Sequence, residues 1–167
     1  MRVWAAAGLS VVGGLVCAVS VGGAETQRAS GCAGTAVHYQ PARSGTPQGV
    51  GGPWIASTNS AFRGYLFYFG ATSWGKTKPG EARIFTTKAH ERVYPKVLWV
   101  ALGSSRGAVS IRGTRLGHPG SFTSTYPGVG GRQYPSYVEV PTAGCWRVSI
   151  TSGELHGSVT FLASDTA

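Results

Sequence analysis

Apolar and polar residues alternate most clearly near the C-terminus of the chain. Trp146, Val148 and Ile150 occupy every second position of residues 145–151, and polar side chains lie between them. This period of two is typical of a β-strand that has one face against a core. A shorter alternating run covers residues 137–140. The Pro-Thr-Ala-Gly connection between the two runs predicts a turn, because proline cannot donate a ladder hydrogen bond and glycine accepts positive φ.

Short apolar runs separated by glycine- and proline-rich segments continue along the rest of the chain. They predict further strands at residues 36–39, 62–69, 82–87, 93–102, 108–113, 122–126 and 155–163. The 62–69 run is the most aromatic and favours a central strand that is buried on both faces. Pro95 interrupts the 93–102 run and indicates an edge strand or a bulge. Many short strands at this spacing are typical of a β-sandwich.

The turn before the C-terminal alternation favours one kind of sandwich. In immunoglobulin-like sandwiches the second-to-last strand often begins with an Ala-Gly corner, followed two residues later by an aromatic residue. Ala143, Gly144 and Trp146 match this arrangement, and Val148 stands where a disulfide-forming cysteine often lies. The expected fold class is therefore an all-β, antiparallel Greek-key (immunoglobulin-like) β-sandwich after an N-terminal signal segment.

The N-terminus has the features of an export signal. Residues 1–24 contain Arg2, a long uncharged stretch and then small residues that suit a signal peptidase. We expect residues 25–35 to be a flexible tether and residues 36–167 to form the β-sandwich domain. Two alternatives stay open: the apolar stretch remains uncleaved as a membrane anchor, or Cys32, which follows small residues, carries a lipid.

Cysteine content bears on both location and stability. Cleavage of the signal would leave Cys32 and Cys145 in an oxidising compartment, where two cysteines favour a disulfide. Such a bridge would close a loop of more than about 100 residues and contribute roughly 4–5 kcal/mol in the chain-entropy model. The alternative is two buried free thiols. We expect the protein to be secreted or located in the cell envelope.

The chain is basic, with a formal net charge of +9. In an exported protein this suits an anionic cell-wall polymer, a glycan or a lipid surface, although solubility alone would also account for it. The candidate ligand-binding cations are Lys76, Lys78, Arg83, Lys88, Arg92 and Lys96. The alternative for this segment is a solvated strand edge whose charges prevent aggregation. Nucleic acid is not an expected partner, because the chain is exported and carries no recognised module.

Trp74 is the candidate aromatic contact, because a large ring in a Ser-Trp-Gly-Lys loop is difficult to bury. An exposed ring would serve as a platform for sugar faces or for a protein partner. The alternative is a lid that folds back over the core. Trp99 and Trp146 lie in strand patterns, and we expect both in the core.

One match to a catalytic motif occurs, at residues 103–107, which have the G-x-S-x-G pattern of a nucleophile elbow. The elbow requires a helix after the serine, whereas the residues that follow have a strand pattern. The only aspartate, Asp165, lies near the end of the chain. We therefore expect Ser105 to lie in a hairpin loop and to have no catalytic role.

Other chemistry has little support. The histidines lack the spacing of metal ligands, so neither a metal site nor a cofactor is expected. Glycoside hydrolysis needs two facing carboxylates, and the sequence leaves a pair such as Glu81 with Glu139 open without favouring it. Glu139 alternates with valines and is expected on a solvated strand face. Residues 128–131 lack the helix that follows a phosphate-binding loop.

The C-terminal stretch resembles a motif of uncharacterised secreted proteins and lipoproteins of bacteria, actinobacteria in particular. That motif has the form Pro-Ser-x-Val-x-Val-Pro-x-x-Gly-Cys-Trp-Arg-Val, and residues 135–148 match it. Residues 64–68 and 96–99 are also similar to such proteins. The resemblance implies an extracellular or envelope β-domain and implies no catalytic residue.

These observations favour a non-enzymatic extracellular or cell-envelope β-sandwich that acts as a binding or structural module. The alternative is a small secreted hydrolase or a carbohydrate-binding accessory domain. The distinguishing feature would be a cleft in which acid, base and nucleophile side chains converge.

Overall fold

The computed structural model describes residues 32–40, 51–69, 80–89 and 94–166. Within these residues the chain forms ten strands: β1 (Val37–Gln40), β2 (Gly52–Ala56), β3 (Phe62–Leu66), β4 (Arg83–Phe85), β5 (Lys96–Ala101), β6 (Val109–Arg115), β7 (Ser121–Tyr126), β8 (Gln133–Tyr137), β9 (Gly144–Ser152) and β10 (Leu155–Ser164). The first sheet has the order β1-β2-β3-β5-β8, and the second has the order β4-β10-β9-β6-β7. The predicted all-β sandwich is confirmed. Its Greek-key, immunoglobulin-like character stays a prediction.

Strand pairing within the described residues is antiparallel apart from one pair. β4 runs parallel to the end of β10, with Arg83 opposite Leu162. Just before this register on β10, the backbone N–H of Thr35 donates to Thr160 O at 2.9 Å. The same edge of β10 is thus covered by two separate pieces of chain, and β4 takes the portion that the N-terminal segment leaves uncovered.

β9 has the alternation that the sequence predicts. Trp146, Val148 and Ile150 are fully buried, whereas the residues between them are exposed. Gly144 begins the strand with φ of 134°, in the region that favours glycine. β9 then pairs along its length with β10 in a hairpin, and it is the second-to-last strand as expected.

The strand before this turn lies earlier than the sequence predicts. The alternation at residues 137–140 indicated a strand there, but β8 ends at Tyr137. Val138 and Val140 are still buried, and Val140 O accepts a hydrogen bond from Thr87 N at 2.8 Å as the chain leaves the first sheet. Alternating burial therefore continues beyond the strand, because the segment crosses between sheets along the edge of the core.

Two expectations for the first sheet are corrected. β3 is central and buried on both faces, as predicted, but it ends at Leu66 rather than at residue 69. β5 lies between β3 and β8, so the edge position, one of the two alternatives given for Pro95, is wrong. Pro95 directly precedes the first residue of β5, where its missing N–H removes no ladder hydrogen bond.

Tryptophans from both sheets fill the core, as predicted. Trp99 is fully buried and packs over Gly64, its cross-strand partner. Its Nε1 has no hydrogen-bond partner among the described residues. Trp146 is also fully buried, but its Nε1 donates to Thr142 O at 2.9 Å. Trp146 thus ties the start of β9 to the preceding turn.

The predicted disulfide joins Cys32 to Cys145, with a Cα–Cα distance of 6.1 Å and a sequence separation of 113 residues. Residues 32–35, expected to belong to a tether, are attached to the sandwich: Ala82 N donates to Thr35 O at 2.7 Å. A Cys32 sulfur engaged in a disulfide is not available for a lipid, which argues against lipidation at that position. The expected signal at residues 1–24 lies outside the described residues.

In the part of the chain that the structure describes, no helix is long and apolar enough to cross a membrane.

Candidate functional site

Predicted ligand-binding residues fall into two groups. Four lie outside the described residues: Trp74, Lys76, Lys78 and Arg92. The other three are exposed: Arg83 on β4 of the second sheet, Lys88 in a short 3-10 turn, and Lys96 at the start of β5 in the first sheet. Arg83 and Lys96 therefore belong to different sheets. The binding role of this set stays a prediction.

Lys96 lies between two aromatic residues, one on β8 and one just after the end of β3. The register of β5 with β8 sets Lys96 opposite Tyr137. On its other side β3 has just ended, and Phe67 N donates to Lys96 O at 3.2 Å. Leu66 is buried in the core, whereas Phe67 is exposed and its ring lies near the Lys96 ammonium, on the outer side of the sheet. The three side chains form one row across the outer face of the first sheet.

The aromatic residues around Lys96 are unusually exposed. Phe67 is 49% exposed, Tyr137 is 42% exposed and Tyr94 is 66% exposed. Tyr94 and Tyr137 pack edge to face with their centroids 6.0 Å apart. The Lys96 Nζ lies 6.0 Å from the Phe67 ring centroid. We name Phe67, Tyr94, Lys96 and Tyr137 the aromatic–lysine strip.

Backbone hydrogen bonds hold the strip in place. Lys96 N donates to Tyr94 O at 2.8 Å, which fixes the approach of the chain to β5. Tyr126 Oη donates to Tyr137 O at 2.6 Å, which links β7 of the second sheet to the end of β8. Lys96 and Tyr137 are therefore carried by strands, whereas Phe67 and Tyr94 lie in the segments next to β3 and β5. Aromatic faces accept apolar sugar or side-chain surfaces, and the lysine supplies a cation for an anionic group.

The sequence did not single out the aromatic members of this strip. Phe67 was placed inside a buried strand, and Tyr94 and Tyr137 were assigned to strand patterns without a role. The position of the last residue of β3 decides whether Phe67 pairs within the sheet or lies beyond the strand. Sequence propensity predicts such strand ends poorly. The available signal was Tyr137 itself, an aromatic residue on the polar side of the alternation.

A second aromatic group on the same face is used internally. Trp54 on β2 stacks on His38 with centroids 4.5 Å apart, and the Arg63 Cζ lies 4.2 Å from its ring centroid. Next to it, Tyr65 is 2% exposed and Leu98 is 8% exposed. Because Trp54 is engaged by two neighbours, we do not include it in the candidate site.

Ser105 of the G-x-S-x-G match accepts a structural hydrogen bond. Tyr134 Oη donates to Ser105 Oγ at 2.8 Å, and a second contact at 2.9 Å joins the phenol to Ser152 Oγ. β6, rather than a helix, follows the motif. The predicted hairpin loop is corrected in one respect: the segment connects β5 of the first sheet to β6 of the second. Tyr134 fastens this crossing to β9.

Other polar groups with catalytic potential also have structural partners. Tyr68 Oη donates to Arg83 O at 2.6 Å, and burial raises the pKa of the Tyr68 phenol, so the group remains a neutral donor. Thr86 Oγ1 donates to Asp165 Oδ1 at 2.6 Å. Glu139 is exposed, as predicted. Among the described residues, no group of three or more His, Cys, Asp or Glu side chains is arranged to hold a metal ion.

Comparisons with known proteins give little similarity. No family model matches the chain, and no curated protein matches it. A crystal structure described as that of "a Putative Lipoprotein from Bacillus anthracis" has a TM-score of 0.42 at 12% sequence identity, covering 76% of this chain and 87% of that one. At that TM-score the similarity carries no argument about this chain. The disulfide itself favours an extracellular or envelope location.

Proposed function

We propose that the protein is a non-enzymatic module of the cell envelope or extracellular space that binds an acidic glycan through the aromatic–lysine strip. The observation that carries this proposal is the exposure of Phe67, Tyr94 and Tyr137 around one cation. Solvent-exposed aromatic side chains grouped on one rigid surface are uncommon without a ligand, because each leaves apolar area in water. The disulfide and the C-terminal motif support the extracellular location.

Geometry of the strip favours an extended ligand. Phe67 and Tyr137 are separated by β5, so their backbones lie about 10 Å apart, two inter-strand spacings. A ligand that contacts both rings must run across the strands and pass over Lys96. A linear polysaccharide with an anionic group between its two stacking sugars meets this requirement. Neutral stacking would supply contact area, and the lysine would supply the preference for acidic sugars.

Retention of the mature protein on purified cell walls tests this proposal. The variants are Phe67→Ala and Tyr137→Ala, and the matched control is Tyr39→Ala. Tyr39 is 48% exposed on the opposite edge strand, β1. Each strip variant should weaken retention about five- to tenfold, the equivalent of about 1–1.4 kcal/mol for one lost aromatic contact. The control should bind as the wild type does.

Lys96→Gln separates the charge from the rings. This variant keeps most of the side-chain stem, is one atom shorter and removes the cation, so the remaining binding should respond less to salt than that of the wild type. Thermal unfolding of every variant shows whether the sandwich is intact. Equal wall retention by wild type, Phe67→Ala and Tyr137→Ala would refute the proposal.

A further inference from the structure

The outer face of the second sheet has a different chemistry from the strip, and it lies on the other side of the sandwich. β6 and β9 are adjacent interior strands of this sheet. Their outward positions define the hydroxyl–arginine face: Ser110, Arg112, Thr114, Arg147, Ser149 and Thr151. All six are polar, none is a carboxylate, and all but Ser110 are exposed.

Cross-strand register aligns this face into rows. Arg112 stands opposite Ser149, and Arg147 stands opposite Thr114. The row that contains Arg112 and Ser149 continues onto β7 with Thr123 and onto β10 with Ser158. Four strands thus present adjoining hydroxyl and guanidinium groups over about 14 Å, three inter-strand spacings. The two arginines occupy diagonal positions, which lie about 7–8 Å apart in an antiparallel pair.

The charge on this face has no counter-charge built into the sheet. Each arginine has a serine or a threonine, rather than an acid, as its direct neighbour on the adjoining strand. An opposite-charge cross-strand pair would contribute roughly 0.2–1 kcal/mol to the sheet, and neither arginine has such a partner in this register. Here the sequence surrounds both guanidinium groups with hydroxyls, and both kinds of group donate hydrogen bonds to phosphate oxygens. The face is therefore complementary to an anion with several oxygens.

We infer that the hydroxyl–arginine face binds a linear polymer with repeated phosphodiester groups in the envelope or extracellular space. Two successive phosphates would contact Arg112 and Arg147, and serine and threonine hydroxyls would donate to their remaining oxygens. The inference goes beyond the proposed glycan binding and is independent of it, because a different sheet and different residues carry it.

Phosphate is favoured over carboxylate by the number of donors. One guanidinium can engage both oxygens of a carboxylate, and it can engage both non-bridging oxygens of a phosphodiester in the same way. The difference lies in the atoms beside the charged group. A phosphodiester polymer adds bridging oxygens and neighbouring polyol hydroxyls along its chain. The serine and threonine hydroxyls of the face can therefore form hydrogen bonds along the polymer between the arginines.

The test measures binding of the full mature protein to a labelled poly(glycerol phosphate) oligomer. Arg112→Gln with Arg147→Gln is compared with Arg106→Gln plus Arg132→Gln, which removes the same charge from exposed loop positions. The first pair should weaken binding about tenfold and reduce the slope of log affinity against log salt by about two. The control pair should change both far less. Thr151→Val, which keeps charge and shape, should weaken binding severalfold.

Three results would overturn the inference. Equal weakening by the control pair would mean that net charge alone attracts the polymer. Binding of polygalacturonate as tight as that of poly(glycerol phosphate) would reject the phosphodiester preference. Tighter binding to phosphatidylglycerol vesicles than to the polymer would assign the face to a membrane. Tyr137→Ala should leave polymer binding unchanged, so failure of this inference and failure of the glycan proposal can be told apart.

Discussion

Packing of Trp99 over Gly64 gives a sharp prediction about the core. A Cβ added at Gly64 would lie 2.5 Å from Trp99 Cζ3 and 2.8 Å from Cε3, both in the six-membered ring. Gly64→Ala alone must displace this ring, which is fully buried in the core. Overpacking of this kind costs about 1–3 kcal/mol of the free energy of unfolding.

Trp99→Phe is destabilising by itself for the opposite reason. It removes ring atoms that fill the core, although it also removes a buried Nε1 without a described partner. In the double variant the alanine methyl occupies part of the space that the indole leaves. The two changes should therefore be non-additive, with a favourable coupling of about 1–3 kcal/mol.

Urea unfolding followed by far-ultraviolet circular dichroism measures the cycle, with the disulfide intact and without dependence on the removed fluorophore. Gly64→Ala combined with Tyr126→Phe is the control, since the second change removes only the hydrogen bond from Tyr126 Oη to Tyr137 O and leaves the core rings in place. That pair should be additive to within about 0.5 kcal/mol. Additivity in the Gly64–Trp99 pair as well would refute the packing described for this core.

Three further results follow from the same structure. Replacing Cys32 and Cys145 with serine should lower the free energy of unfolding by up to about 5 kcal/mol in urea, because the bridge closes a long loop in the unfolded chain. Because burial raises the pKa of the Tyr68 phenol, the unfolded state loses this proton at lower pH than the folded state. The contribution of Tyr68 to the free energy of unfolding should be fully present below about pH 10 and should decrease above it. Tyr68→Phe should reduce that decrease by up to about 1.4 kcal/mol per pH unit. Trp146→Phe should lower the free energy of unfolding by about 1 kcal/mol more than the lost packing alone does, because the hydrogen bond to Thr142 O disappears. The same urea unfolding measures this, and a loss no larger than that of Trp99→Phe would contradict it.

Local alternation was enough to predict much of the sandwich. Period-two burial in β9 and the hairpin to β10 depend on neighbours in sequence, so residues 145–163 were predictable as two inward-facing strands. The edge position considered for Pro95 was wrong because the place of a strand within a sheet depends on long-range pairing. Residues 137–140 show a related limit: a segment that crosses between sheets also alternates in burial, and periodicity does not distinguish it from a strand.

The candidate site was less predictable than the fold. Lys96 was among the predicted cations, but its aromatic neighbours come from chain segments that only the register of β3, β5 and β8 brings together. The hydroxyl–arginine face is a similar case. The sequence of each strand alone predicts an ordinary solvent-exposed surface. Only the pairing of β6 with β9 places Arg112 and Arg147 at diagonal positions with hydroxyl side chains around them.

Mapping of the bound surface tests the central claim most directly. A titration of isotope-labelled mature protein with a soluble acidic wall oligosaccharide would be followed by two-dimensional nuclear magnetic resonance. The account predicts that the largest saturable shifts occur at Phe67, Tyr94, Lys96 and Tyr137, and that Tyr137→Ala abolishes them. Saturable shifts confined to other parts of the chain, with the strip unchanged, would contradict it.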